Sequence, residues 1–284
     1  MFLSTRRVPA PLLFVVSGLS MYLGAAVAVR LFAELDPATV TWLRQLGAAI
    51  MLLAWRRPGR AAWTGRNLRL SALFGLVTAL MNLAFYESIA RLPLGTAVAL
   101  EFAGPVLLAA LGSRTWRDAG ALVLVVAGVL LIADVRWAGS PLGVVFALSA
   151  AALWVVYIVL SKRVATAGIG LDALAVGFAV ATVALAPIGL RSGPVWGSPR
   201  LLVLGIGVGV LATAIPYALD QVVLRRGVGR ATFAVLLALM PVTATVTGLV
   251  LLGQVPTVAE AVGILAVVVG VALRAREPVR PDPR

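Results

Sequence analysis

The chain of 284 residues contains no cysteine and no histidine. The first absence excludes disulfides, thiolate metal sites and cysteine nucleophiles. The second removes the residue most often used for proton transfer near neutral pH, so any proton chemistry falls to carboxylates, Lys, Arg or Tyr. Charge is scarce as well. Only 12% of residues are charged, against about 25% in soluble domains, while 61% are hydrophobic and mean hydropathy is +1.04. Lysine is nearly missing, with Lys162 alone among 24 basic residues, which reads as genomic composition rather than chemistry. There is no Walker motif, no cluster of metal ligands and no nucleophile–base pair, so ATP-driven transport by this chain alone and the usual membrane-enzyme chemistries are not expected.

What remains is long apolar runs. Ten stand out, at about 9–30, 38–55, 70–90, 93–112, 118–134, 141–161, 171–190, 201–224, 231–252 and 258–273. Most are near the ~20 residues that a helix needs to cross a bilayer. The expected fold is therefore an all-α membrane protein with ten transmembrane helices. Short connections carry the turn formers, as in Leu35-Asp36-Pro37, Arg57-Pro58-Gly59 and Ser192-Gly193-Pro194, and none is long enough for a separate soluble domain. The first run follows Arg6-Arg7 and ends in Arg30 without a convincing cleavage site, so it reads as a span and not a signal peptide.

A net charge of +13 invites a nucleic-acid reading, but the basic residues sit in short loops with no aromatic-studded basic face. Their distribution reports orientation instead. One alternating set of connections holds eighteen Arg and Lys residues and the other holds Arg91, Arg136, Arg191 and Arg200. Both termini are accordingly expected in the cytoplasm. No nucleic acid, metal or cofactor is expected; the partners are a lipid bilayer and a small-molecule substrate, and a monomer suffices for that role.

Against this apolar background a few polar residues lie at membrane depth. Glu101 falls near the middle of the run 93–112, where an ionised carboxylate costs several kcal/mol and rarely faces lipid. It is the candidate for proton coupling and substrate contact; the alternative is a static pair that locks two helices. Arg44 lies seven residues into the second run, about 10 Å deep. It can bind a substrate carboxylate bidentately, neutralise Glu101 or snorkel outward. Asn82 and Tyr86 are four apart and share a helix face, with Asn82 serving either the substrate or an interhelical hydrogen bond. Trp154, Tyr157 and Tyr217, with Tyr22, are candidates for the cavity wall. Glu87, four before Arg91, is expected in a local salt bridge, and Asp220 is expected to pair with Arg225-Arg226 at the membrane boundary. Gln45 completes the polar set. Pro105, Pro216 and Pro241 are expected helix breaks, Pro105 because it cannot bond back to the Glu101 carbonyl, while Pro216 and Pro241 can equally be tolerated kinks. Trp42, Trp55, Trp63, Trp116, Trp137 and Trp196 read as interfacial anchors.

A faint internal repeat links Pro93-Leu94-Gly95-Thr96-Ala97 and Pro105-Val106 to Gly229-Arg230-Ala231-Thr232 and Pro241-Val242. Five spans per half place the second half upside down relative to the first, an arrangement characteristic of transporters. The expected halves are 1–136 and 137–284. The stretches Phe85-Tyr86-Glu87-Ser88-Ile89, Pro93 to Pro105 and Thr213-Ala214-Ile215-Pro216-Tyr217-Ala218-Leu219-Asp220 resemble the EamA family of the drug/metabolite transporter superfamily, with the nearest likeness to its threonine and homoserine exporters. The resemblance implies two inverted five-helix repeats in a bacterial inner membrane, exporting amino acids or related metabolites, in exchange for protons. It places Arg44, the Trp154–Tyr157 pair and Asp220 at family positions, with Arg30 where the exporters carry Lys. Met240-Pro241 and Gly253-Gln254 depart from acidic residues expected there, which leaves the substrate and the coupling open. The runner-up is a multidrug or cationic-compound exporter of the same superfamily; a structural protein would have no reason to keep Glu101 and Arg44 at depth.

Overall fold

The computed structural model describes residues 10–111, 116–137, 140–217, 219 and 230–274. Among these every regular element is helical. The helices are α1 (Ala10–Leu31), α2 (Pro37–Arg56), α3 (Gly65–Ile89), α4 (Leu94–Glu101), α5 (Ala103–Leu111), α6 (Trp116–Trp137), α7 (Pro141–Thr166), α8 (Gly170–Ala184), α9 (Ala186–Leu190), α10 (Gly193–Gly197), α11 (Pro199–Gly209), α12 (Arg230–Leu252) and α13 (Val258–Arg274). Each expected apolar run falls on one of them or on a broken pair. Three stretches, Gly65–Ile89, Pro141–Val164 and Pro199–Tyr217, are long and apolar enough to cross a membrane, and the first, fourth, fifth, seventh, ninth and tenth runs hold shorter apolar helices.

Local chemistry sets the boundaries. Asp36 caps α2 by accepting from Thr39 N at 2.8 Å, with Pro37 at the first helical position. α3 begins at Gly65, five residues before the apolar run, so Arg66 and Arg69 stand on its first turns. The fourth run is two helices, α4 and α5, parted at Phe102 three residues before Pro105. The seventh run is also broken, with α9 starting beside Pro187. The eighth run passes from α11 into a π-helical turn at Val210–Ala214 just before Pro216. α12, by contrast, runs on through Pro241, the tolerated alternative and not the break: one missing N–H does not stop a helix packed along its neighbours.

Numbering the apolar runs one to ten, the packing pairs are matched. Run five lies along run ten, four along nine and two along seven; each of these pairings is unchanged when five is added to both members. The remaining main pairs exchange: three with six becomes eight with one, three with seven becomes eight with two, and one with nine becomes six with four. Glycine marks the closest approaches. A Cβ built on Gly75 would collide with the Gly177 carbonyl oxygen, and one on Gly209 with the Arg44 carbonyl oxygen beside Gly47. These are the α3–α8 and α11–α2 crossings, which the exchange relates.

Candidate functional site

Between the helices lies a cavity of about 440 Å³, lined by side chains from α1, α2, α3, both pieces of the fourth run, α7, the eighth run and α12. Its wall holds Arg44, Asn82, Glu101, Pro105, Trp154, Tyr157, Pro216 and Tyr217, together with Met21, Tyr22, Ala25, Met81, Phe85, Phe102, Ile158, Ala212 and Met240. Glu101 is the last residue of α4, at the break that Pro105 imposes, so the bend delivers its carboxylate to the cavity. Within the aromatic wall Trp154 meets Phe102 edge-on at 5.0 Å, and from behind it Tyr157 stacks on Phe74 at 5.0 Å and Tyr217 meets Phe178 at 6.1 Å.

Arg44 neither snorkels nor pairs with Glu101. Among the described residues no ion pair joins the two, although both line the cavity. Arg44 is buried, and its Nε donates to Thr213 Oγ1 at 2.9 Å while Nη2 donates to the Ala212 carbonyl at 3.3 Å. The second acceptor exists because Pro216 has no N–H to offer Ala212 four residues back. The adjacent Leu211 carbonyl accepts from Ser20 Oγ at 2.8 Å and the Pro216 carbonyl from Ser17 Oγ at 3.4 Å, so α1 and α2 satisfy the carbonyls that the π turn leaves open. The Arg44 Cζ also lies 5.0 Å over the Tyr86 ring.

The other sequence candidates divide. Asn82 lines the cavity and makes no interhelical bond through its amide nitrogen, which has no partner among the described residues. Tyr86 is fully buried behind Arg44 and does not itself line the cavity: it shares Asn82's helix face but sits a turn further along, against Phe32 at 5.9 Å. Gln45 is likewise buried away from the cavity, with neither amide atom partnered among the described residues. Glu87 pairs with Arg91 one turn on, and the Arg91 guanidinium lies over Phe146. Pro241 is absent from the wall, where its neighbour Met240 takes the place. Asp220 lies outside the described residues. Trp42 is not an interfacial anchor: it is buried, donates Nε1 to the Thr182 carbonyl at 3.0 Å and meets Trp196 edge-on.

Sequence reasoning missed two groups. Thr213 was quoted in a motif without a role. Glu260, fully buried at the start of α13, accepts from Thr96 Oγ1 at 2.7 Å, Thr257 N at 3.0 Å and Thr257 Oγ1 at 3.1 Å. Its signal was legible, since Thr257-Val258-Ala259-Glu260 is a capping box. Nearby, Gln254 Oε1 accepts from Leu94 N at 2.8 Å, so the α12–α13 connection clasps the first turn of α4.

The ends of α1 to α4 joined by residues 32–36 and 90–93 are tightly packed, with Leu31, Leu35, Val40, Ile89, Leu92 and Leu94 all buried.

The EamA-like transporter family model matches residues 141–275. Threonine/homoserine exporter RhtA of Salmonella typhimurium strain LT2 is 36% identical over 273 residues, covering 93% of this chain and 92% of that protein. The protein of the same description from Escherichia coli K12 is 34% identical over the same shares. A solved structure described only as a crystal structure of protein superposes with a TM-score of 0.63 at 22% identity, over 94% of this chain and 97% of its own, a likeness of fold. With that identity over nearly its whole length, this chain is a multi-pass membrane protein of the EamA-like transporter family, in the drug/metabolite transporter superfamily.

Proposed function

We propose that this chain exports amino acids of the threonine and homoserine type from the cytoplasm, by proton antiport with alternating access. One observation carries the reading: a carboxylate and a guanidinium face one cavity without neutralising each other. Two unpaired opposite charges across an apolar hollow fit a zwitterion, whose carboxylate meets Arg44 and whose ammonium meets Glu101. The relatives named as threonine/homoserine exporters support the same class, and support a transporter rather than an enzyme.

Both termini lie in the cytoplasm on this reading, by the excess of Arg and Lys on one set of connections, and the membrane is the bacterial inner membrane. The packed ends of α1 to α4 then face outward. The halves 1–136 and 137–284 rock about the cavity, a division supported by the matched packing pairs. Glu101 takes a proton from the acidic outside and gives it up inside, exchanging it for the substrate's ammonium.

The competing reading, export of cationic compounds, draws on the methionines and aromatics of the wall. Arg44 in the same cavity repels a cation. Counterflow of radiolabelled threonine, homoserine and a lipophilic cation into proteoliposomes, with and without a pH gradient, decides between them. Uptake of the two amino acids but not of the cation is expected. Uptake of the cation alone overturns the amino-acid reading.

A further inference from the structure

A guanidinium offers two flat edges to an anion: a side-on pair, Nε with Nη2, and an end-on pair, Nη1 with Nη2. In this structure the side-on edge is occupied. Nε is held by Thr213 Oγ1 at 2.9 Å and Nη2 by the Ala212 carbonyl at 3.3 Å, both on the π turn of the eighth run. The ring of Tyr86 covers one face. Among the described residues no hydrogen bond engages Nη1, so the N–H groups left over belong to the end-on edge. Arg44 is 7% exposed and lines the cavity, and a buried cation with unmet donors is costly until an anion reaches them.

We propose that Thr213 is a positioning residue that makes Arg44 an end-on carboxylate fork, so that the site demands a free carboxylate on its substrate. The proposal rests on the amino-acid reading above and adds to it the feature that sets the fork's direction. Thr213 is fully buried, and its oxygen accepts from Nε of the guanidinium at 2.9 Å. Without that bond, Nε turns to seek another acceptor and the end-on pair swings with it. The carboxylate then loses a bidentate partner, while the cavity and its gating elements stay as they were. The effect is on recognition and not on the speed of the transport cycle.

The experiment is counterflow in proteoliposomes with wild type, Thr213→Val and Thr213→Ser, reading KM and the maximal rate for threonine. Inhibition by threoninamide, which lacks the carboxylate, is measured beside it. Thr213→Val removes the acceptor at nearly constant shape. It is expected to raise KM roughly ten- to hundredfold with the maximal rate within about twofold, and to shrink the preference for threonine over its amide. Thr213→Ser keeps a hydroxyl and is expected to restore both. Where the valine does not fold, Thr213→Ala removes the same acceptor. Ser20→Ala disturbs the same turn through the Leu211 carbonyl without touching the guanidinium, and is expected to leave the preference for the carboxylate intact. An unchanged KM and preference in Thr213→Val overturns the positioning role while leaving the amino-acid reading standing. A Ser20→Ala variant that loses the preference equally shows that integrity of the turn, not the guanidinium edge, is responsible, and overturns it too. A wild type that moves no amino acid removes both.

Discussion

Glu101 and Arg44 show what a single residue type does at membrane depth. Each is expensive to desolvate, and neither is spent on the other. Glu101→Gln keeps the shape and removes the charge, so a variant still inserted and folded is expected to lose the response to a pH gradient, with passive exchange persisting at a raised KM because the ammonium has lost its partner charge. Gradient-driven export at wild-type rate in that variant refutes coupling through Glu101. These two residues were visible in the sequence because a charge inside an apolar run is conspicuous. Thr213 was not, because a threonine in a membrane helix normally bonds its own backbone and carries no signal of its partner. Tyr86 and Gln45 lie off the cavity wall for a related reason. Periodicity assigns residues to a helix face, but which neighbour that face meets depends on the packing. Glu260 was overlooked although its capping box was plain, since it lies at a helix start and not in the middle of a run.

At the scale of the element, proline and glycine do opposite work. Pro105 and Pro216 free carbonyls and bend the runs that carry Glu101 and Thr213, whereas Pro241 leaves α12 continuous. Proline spacing alone marks three candidate breaks; the neighbours that re-satisfy the backbone decide which occur. Ser20, Ser17 and Arg44 supply that satisfaction along the eighth run, and no sequence pattern links them across the nearly two hundred residues between α1 and α11. Glycine works through close approach. Gly75 of α3 and Gly177 of α8 let two backbones touch, and Gly177 itself faces the Ser71 carbonyl. A methyl group at residue 75 meets backbone and not a flexible side chain, so the helices must part. Gly75→Ala is therefore expected to destabilise by about 1–3 kcal/mol or more and to lower the thermal midpoint in detergent. Gly59→Ala, where a Cβ meets open space, is the control expected to leave the midpoint unmoved. Equal midpoints for the two variants rule out the close crossing.

At the scale of the molecule, two surface ion pairs mark opposite ends of the bundle. Glu34, just after α1, pairs with Arg200 at the start of α11 at 3.1 Å. Arg56, at the end of α2, pairs with Asp172 at the start of α8 at 2.7 Å. The 20 residues of α2 separate the two pairs by about 30 Å, the thickness of a hydrocarbon core. On the proposed orientation, which rests on the excess of basic residues, the Arg56–Asp172 end faces the cytoplasm. All four side chains are partly exposed, and surface pairs contribute only about 0–1 kcal/mol, so replacing one partner leaves the fold in place. The native chain has no cysteine, so a single introduced thiol is the sole target for a maleimide. In intact spheroplasts, Glu34→Cys is expected to react with a membrane-impermeant maleimide and Asp172→Cys only after permeabilisation. The reverse pattern inverts the orientation and places the packed ends of α1 to α4 toward the cytoplasm. Labelling of both from outside refutes the placement of a bilayer between the two pairs.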